Sequence, residues 1–93
     1  MTSDILSVKV ACNIEEVRLQ KGLTQEELAG AIGLSRASLV NMEAGRQAIS
    51  LVRLFEFALA LEVDVKELLP DNNWYRAYKG KKLRKEVRLV IDE

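Results

Sequence analysis

Residues 24–43 read TQEELAGAIGLSRASLVNME, and this stretch limits the fold more tightly than any other part of the chain. Thr24 precedes Glu27 by three positions, the spacing at which a hydroxyl and a carboxylate reciprocally satisfy backbone amides at a helix start. A helix therefore begins at Gln25. Leu28, Ala29 and Ile32 fall on one inward stripe of it, and Ala29 is small enough for a crossing helix to come close. Gly33 has no Cβ and can take the left-handed conformation that ends a helix; Leu34 then fills the corner and Ser35 caps a second helix. That helix runs from Arg36 to about Glu43, and Gly45 closes it. Leu39 and Met42 point inward, while Arg36, Ala37, Val40 and Asn41 share the opposite face at helical spacing. The stretch thus encodes two short helices set at a steep angle by a glycine turn.

A second helix with such a small, polar outer face fits the major groove of DNA. Arg36 carries the planar fork that pairs with guanine O6 and N7, and Asn41 can pair with adenine N6 and N7. Val40 has no inward role and is placed to touch a thymine methyl, although an exposed valine without that role fits the spacing equally. Ala37 can make a similar contact.

The pattern TQEELA, a glycine turn, then SRxSLxxMExGR resembles the phage repressor and Cro-like helix-turn-helix family, over roughly residues 10–70. The resemblance implies an all-α domain of five helices. Ile14, Val17 and Arg18 match the family's first helix, ending at Gly22; Ser50 to Leu61 match its fourth and Asp64 to Leu69 its fifth. It further implies that Gln25, Ser35 and Arg46 face backbone phosphates, and that Arg18 and Glu43 form a structural ion pair tying the first helix to the end of the recognition helix. Two positions depart from the pattern. Ile49 stands where proline is frequent, and Glu62 where glycine usually ends the fourth helix, so a different turn is expected there.

The flanking residues fit one small domain. Ser50 caps a helix in which Leu51, Leu54, Phe55, Ala58 and Leu61 are expected to form the inward stripe. Asp64 and Glu67 have capping-box spacing, and Pro70 ends the fifth helix. Residues 3–10 extend the first helix, with a short strand as the alternative for LSVKV. A single cysteine, Cys12, excludes an internal disulfide and is expected to be a packing residue of the first helix; the absence of histidine excludes a zinc finger and histidine-based catalysis. No constellation of nucleophile, base and metal ligand points to an enzyme, and no cofactor is expected. No apolar run is long enough to span a membrane, so a cytoplasmic protein is expected.

Formal net charge is +0, unusual for a partner of phosphates, but the charge is unevenly spread. Residues 24–70 hold four basic and seven acidic side chains, whereas residues 76–88 hold seven basic and one acidic. The expected division is a DNA-binding domain over 1–70 and a basic extension over 71–93 serving dimerisation or partner binding. Within the extension VRLVI alternates as a strand does, and Val87, Leu89 and Ile91 are the residues expected to pair with a second subunit. A helix also fits Leu83, Val87 and Val90, and the fifth helix, around Val65, Leu68 and Leu69, is the alternative dimer contact. The leading functional expectation is a homodimeric repressor that binds double-stranded DNA at a palindromic operator. An antitoxin that binds its own promoter and a toxin protein is the alternative, and a restriction-modification controller is less favoured.

Overall fold

A computed structural model describes residues 5–78 of the chain. Four α-helices, α1 (Ile5–Gln20), α2 (Gln25–Ala31), α3 (Arg36–Glu43) and α4 (Leu51–Leu61), are followed by a 3₁₀ helix at Val65–Leu68. Residues 72–78 are again helical, and no strand occurs among the described residues. The architecture is the all-α, five-helix arrangement. Its first helix includes the segment for which a strand was the alternative. No helix among the described residues is long and apolar enough to cross a membrane.

Helix starts are set by side chains one residue ahead. The Thr24 hydroxyl accepts from the Glu27 amide at 3.0 Å while the Glu27 carboxylate accepts from the Thr24 amide at 2.8 Å. Ser35 and Ser50 accept from the amides of Ser38 and Arg53 in the same way. Each such cap is worth roughly 1 kcal/mol.

Helix ends follow one rule as well. After each of α1 to α4 the chain makes a paired reverse turn: Leu23, Leu34, Arg46 and Val63 donate back to the carbonyls of Arg18, Ala29, Asn41 and Ala58 at 2.8–3.1 Å. This pairing requires the preceding residue to be left-handed. Gly22, Gly33 and Gly45 supply it at the first three ends, with φ between 71° and 77°. At the fourth, Glu62 itself takes φ 61° and ψ 45°. The turn expected to change form at this glycine-lacking position instead keeps it, because Val63 after the turn packs against the core and holds the chain in place. Leu23 and Leu34 close the first two turns with the same apolar contact.

The core sits where α1, α2, α3, α4 and the 3₁₀ helix converge. Ile14, Leu28, Leu39, Phe57, Leu61 and Leu68 are all less than 2% exposed. Burying each contributes about 1.5–3 kcal/mol. Three expectations need correction here. In α4 the buried stripe is Leu54, Phe57, Ala58 and Leu61, while Leu51 and Phe55 are 71% and 55% exposed. Cys12 is exposed, on the outer face of α1, whereas its neighbour Ala11 is buried. Asp64 and Glu67 make no capping box: the Asp64 carboxylate accepts from Lys66, two residues on, and Glu67 donates to the Asp64 carbonyl, which tightens the segment into a 3₁₀ turn. Asn13 on α1 secures that turn by donating to the Leu68 carbonyl at 3.2 Å. Beyond Pro70 the Asp71 carboxylate accepts from the Trp74 amide, starting the helical stretch at 72–78.

The left-handed Glu62 gives a direct test. A non-glycine residue in this region is strained by on the order of 1 kcal/mol, so Glu62→Gly is expected to stabilise the fold by about that amount. For a domain of this size that corresponds to a rise in Tm of about 4–8 °C, read by calorimetry. An unchanged or lower Tm would show that Glu62 is not strained.

Candidate nucleic-acid interface

Helix α3 is divided sharply between two faces. Leu39, Met42 and Glu43 are buried, whereas Arg36 and Ala37 are exposed and Val40 and Asn41 are half-buried. The four candidate base-reading residues therefore share the outward side of one short helix. Ser35 stands at its start, where its hydroxyl accepts from the Ser38 amide and donates to the Ser38 hydroxyl at 3.1 Å. Gln25 lies at the start of α2, and Arg46, exposed, lies just past the turn that ends α3.

The inner end of α3 is held by a charged network. The Arg18 guanidinium donates from Nε to Glu43 Oε2 at 2.8 Å and from Nη2 to Glu43 Oε1 at 3.1 Å, a two-pronged bond between α1 and α3. Its Nη1 donates to the Leu23 carbonyl at 2.8 Å. Both side chains are almost fully covered, at 7% and 3% exposure, and no buried side-chain polar atom among the described residues lacks a partner. Such a pair adds little net stability over apolar side chains of the same shape, but it is exacting in direction. It fixes α3 in angle and rotation against α1.

The network continues outward through residues first assigned to phosphate. Gln25 Nε2 donates to Glu43 Oε1 at 3.1 Å, and Gln25 Oε1 accepts from Arg36 Nη2 at 3.4 Å. Gln25 thus bridges the buried carboxylate and the exposed Arg36. At the far end of α3, Arg46 Nε donates to Asn41 Oδ1 at 3.2 Å. The two polar base-reading candidates, Arg36 and Asn41, each lean on one candidate phosphate contact. Sequence spacing does not reveal these partnerships, since Gln25 and Glu43 are 18 residues apart and meet only when α2 crosses α3. Val87, Leu89 and Ile91 lie outside the described residues. The alternative dimer contact is largely unavailable: Leu68 is fully buried and Val65 packs on the core, leaving Leu69 exposed.

Two short helices crossing at a glycine turn, the second anchored inside and polar outside, define a helix-turn-helix DNA-binding domain. The sequence matches the helix-turn-helix family HTH_3 over residues 14–68, and the chain belongs to that family. Its similarity extends to an uncharacterized HTH-type transcriptional regulator, y4dJ, of Sinorhizobium fredii (strain NBRC 101917 / NGR234). The two are 40% identical over 60 residues, which is 64% of this chain and 78% of the relative. Among solved structures it is similar to the restriction-modification controller protein C.AhdI from Aeromonas hydrophila, with TM-score 0.64 and 39% identity over 67% of this chain and 94% of that one. It is also similar to the clp gene regulator ClgR from C. glutamicum, with TM-score 0.68 and 29% identity over 71% of this chain and 86% of that one. The family is one of DNA-binding transcriptional regulators rather than enzymes.

The buried pair yields a stability test. Glu43→Ala strands the Arg18 charge, and Arg18→Ala strands that of Glu43; each is expected to cost about 3–5 kcal/mol in urea unfolding. Arg18→Met combined with Glu43→Leu is expected to lose much less than the sum, since neither charge is then left alone. Simple additivity of the losses would mean that the two residues do not interact.

Proposed function

We propose that this chain is a homodimeric, sequence-specific repressor that acts in the cytoplasm on a palindromic operator, each subunit offering one α3 to one half-site. The observation that carries the reading is the outward face of α3, where Arg36 and Asn41 are the two side chains able to pair with a base edge in two places. In this reading Arg36 recognises a guanine and Asn41 an adenine, while Ala37 and Val40 meet thymine methyl groups. Ser35 and Arg46 contact the backbone. Gln25 does so with one amide hydrogen while the other stays on Glu43.

The intramolecular bonds Gln25–Arg36 and Arg46–Asn41 support this assignment of roles, because they hold long side chains near one geometry before DNA arrives and so reduce the entropy lost on binding. Residues 1–70 form the DNA-binding unit in this proposal, and the basic run at 76–88 in the extension 71–93 adds sequence-independent phosphate affinity. The toxin-neutralising alternative draws no support from the relatives, which carry regulator names. A restriction-modification controller is the second reading, favoured by the likeness to C.AhdI and to C.Esp1396I. The two readings share the same contacts with DNA and differ in the genes controlled.

Selection of bound sequences from a random pool tests the assignment. Arg36→Ala and Asn41→Ala are each expected to remove about 1–3 kcal/mol of discrimination at one position per half-site, with binding to random DNA little changed. Selected half-sites should repeat about one helical turn, 34–36 Å, apart. If both variants select the same sequences as the parent chain, the face is misassigned.

A further inference from the structure

Helix α4 is apolar nearly all round: of LVRLFEFALAL only Arg53 and Glu56 carry charge. A helix of that composition is ordinarily buried on every side. Here it is not. At 100° per residue, Leu54, Phe57, Ala58 and Leu61 occupy one arc and face the core, while Leu51, Phe55, Leu59 and Val52 occupy a second arc about 100° wide. On this second arc Leu51 is 71% exposed, Val52 70%, Phe55 55% and Leu59 81%. These are four of the largest apolar exposures among the described residues. Together they line one shallow groove, whose single polar neighbour is Glu56.

We propose that this second arc of α4 is the surface on which a second copy of the chain docks, with the two α4 helices antiparallel and Phe55 on the two-fold axis. The inference rests on the DNA-binding reading above only for why a dimer is needed; the surface itself is read from the helix. Three observations select a second copy as the occupant. First, the exposed stripe Leu51, Phe55, Leu59 is symmetric about its middle residue. An antiparallel copy therefore sets Leu51 against Leu59 of the partner subunit and Phe55 against Phe55 of the partner subunit, the self-complementarity a two-fold contact demands. A parallel or unrelated partner gains nothing from that symmetry.

Second, the charges bordering the arc are already neutralised within the chain. Arg53 Nη1 and Glu56 Oε1 are 2.7 Å apart, and Arg53 Nη1 also donates to the Ile32 carbonyl at 3.3 Å. Docking against an identical surface leaves no lone charge without a partner, which is what makes covering this face inexpensive. Third, the area is of the right size. Four such side chains at these exposures present on the order of 450 Å² of apolar surface, near the upper end of the largest patch on ordinary monomers. The groove beside Leu51 continues it towards Leu6 and Leu69, and the groove beside Leu59 continues it towards Ala31 and Ile32. These flanks add to the area each copy can bury, towards the roughly 800 Å² per partner of a standard interface.

The test uses the full chain without DNA. Cys12 is exposed and is first replaced, Cys12→Ser, so that new cysteines report alone. In that background Phe55→Cys is expected to form a symmetric disulfide-linked dimer under mild oxidation, because antiparallel helices in contact at about 8–10 Å bring their central Cα atoms within disulfide reach. Leu51→Cys alone is not expected to link, its two copies lying about 12 Å apart along the axis, but a mixture of Leu51→Cys and Leu59→Cys chains should link to each other. Phe55→Glu should sediment as a monomer with unchanged helical circular dichroism and lose affinity for a full operator by a factor on the order of 10²–10⁴, while affinity for an isolated half-site stays the same. A parent chain that sediments as a monomer at tens of micromolar overturns the proposal, as does a Phe55→Glu chain that remains dimeric or a dimer in which Phe55→Cys fails to link. The DNA-binding reading fails separately, by loss of sequence preference in the parent chain whatever its oligomeric state.

Discussion

The two-pronged bond between Arg18 and Glu43 is the contact on which the orientation of the whole recognition unit depends. It joins the inner end of α3 to α1 across 25 residues of sequence, in a site almost closed to water. Apolar packing of Leu39 and Met42 attracts α3 to the core but tolerates rotation of a short helix, because dispersion and burial have little directional character. A planar guanidinium meeting a planar carboxylate does not tolerate it. The third bond of Arg18, to the Leu23 carbonyl, ties the same group to the turn from which α2 departs. One side chain therefore fixes α1, the entry to α2 and the end of α3 relative to one another.

From that buried point the polar bonds run outward to the exposed face of α3. Gln25 shares Glu43 with Arg18 and holds Arg36 in turn, so the exposed arginine is connected to the core through two hydrogen bonds. Asn41 is held from the other side by Arg46. A recognition surface of long side chains free in solution would lose about 0.5–1.5 kcal/mol for each one immobilised on binding. Pre-existing partners lower that loss, and they couple the proposed base readers to the proposed phosphate contacts.

The domain is small, and its core shows it. Six large side chains are fully buried, one from each of α1, α2, α3 and the 3₁₀ helix and two from α4. A chain of this size hides a smaller fraction of its apolar surface than a larger one does, and among the described residues four of its most exposed large apolar side chains lie together on the second arc of α4. On the proposed assignment, association is carried by the exposed arc of α4 and base reading by the outward face of α3. The proposed division of labour is among helices: α1 anchors α3, α3 reads, and α4 serves both the core and a second subunit.

What the sequence determined by itself was what depends on near neighbours in the chain. Thr24, Ser35 and Ser50 cap their helices, and Gly22, Gly33 and Gly45 end theirs, because each acts on backbone groups within a few residues. The inward side of α3 was legible for the same reason: Leu39 and Met42 fall together at helical spacing, opposite Arg36, Ala37, Val40 and Asn41. In α4 they do not, since nine of its eleven residues are apolar, and periodicity could not tell Phe55 from Phe57. The position of the neighbouring helices decided that Phe57 is fully buried and Phe55 more than half exposed. Glu62 was read as a residue unsuited to a left-handed turn, and locally it is; the packing of Val63 on the core imposes the turn regardless. Gln25 likewise carries no local sign of its partners. Only the crossing of α2 over α3 brings its amide to Glu43 and Arg36, because contacts between distant residues are set by how whole helices pack and not by the order of residues along any one of them.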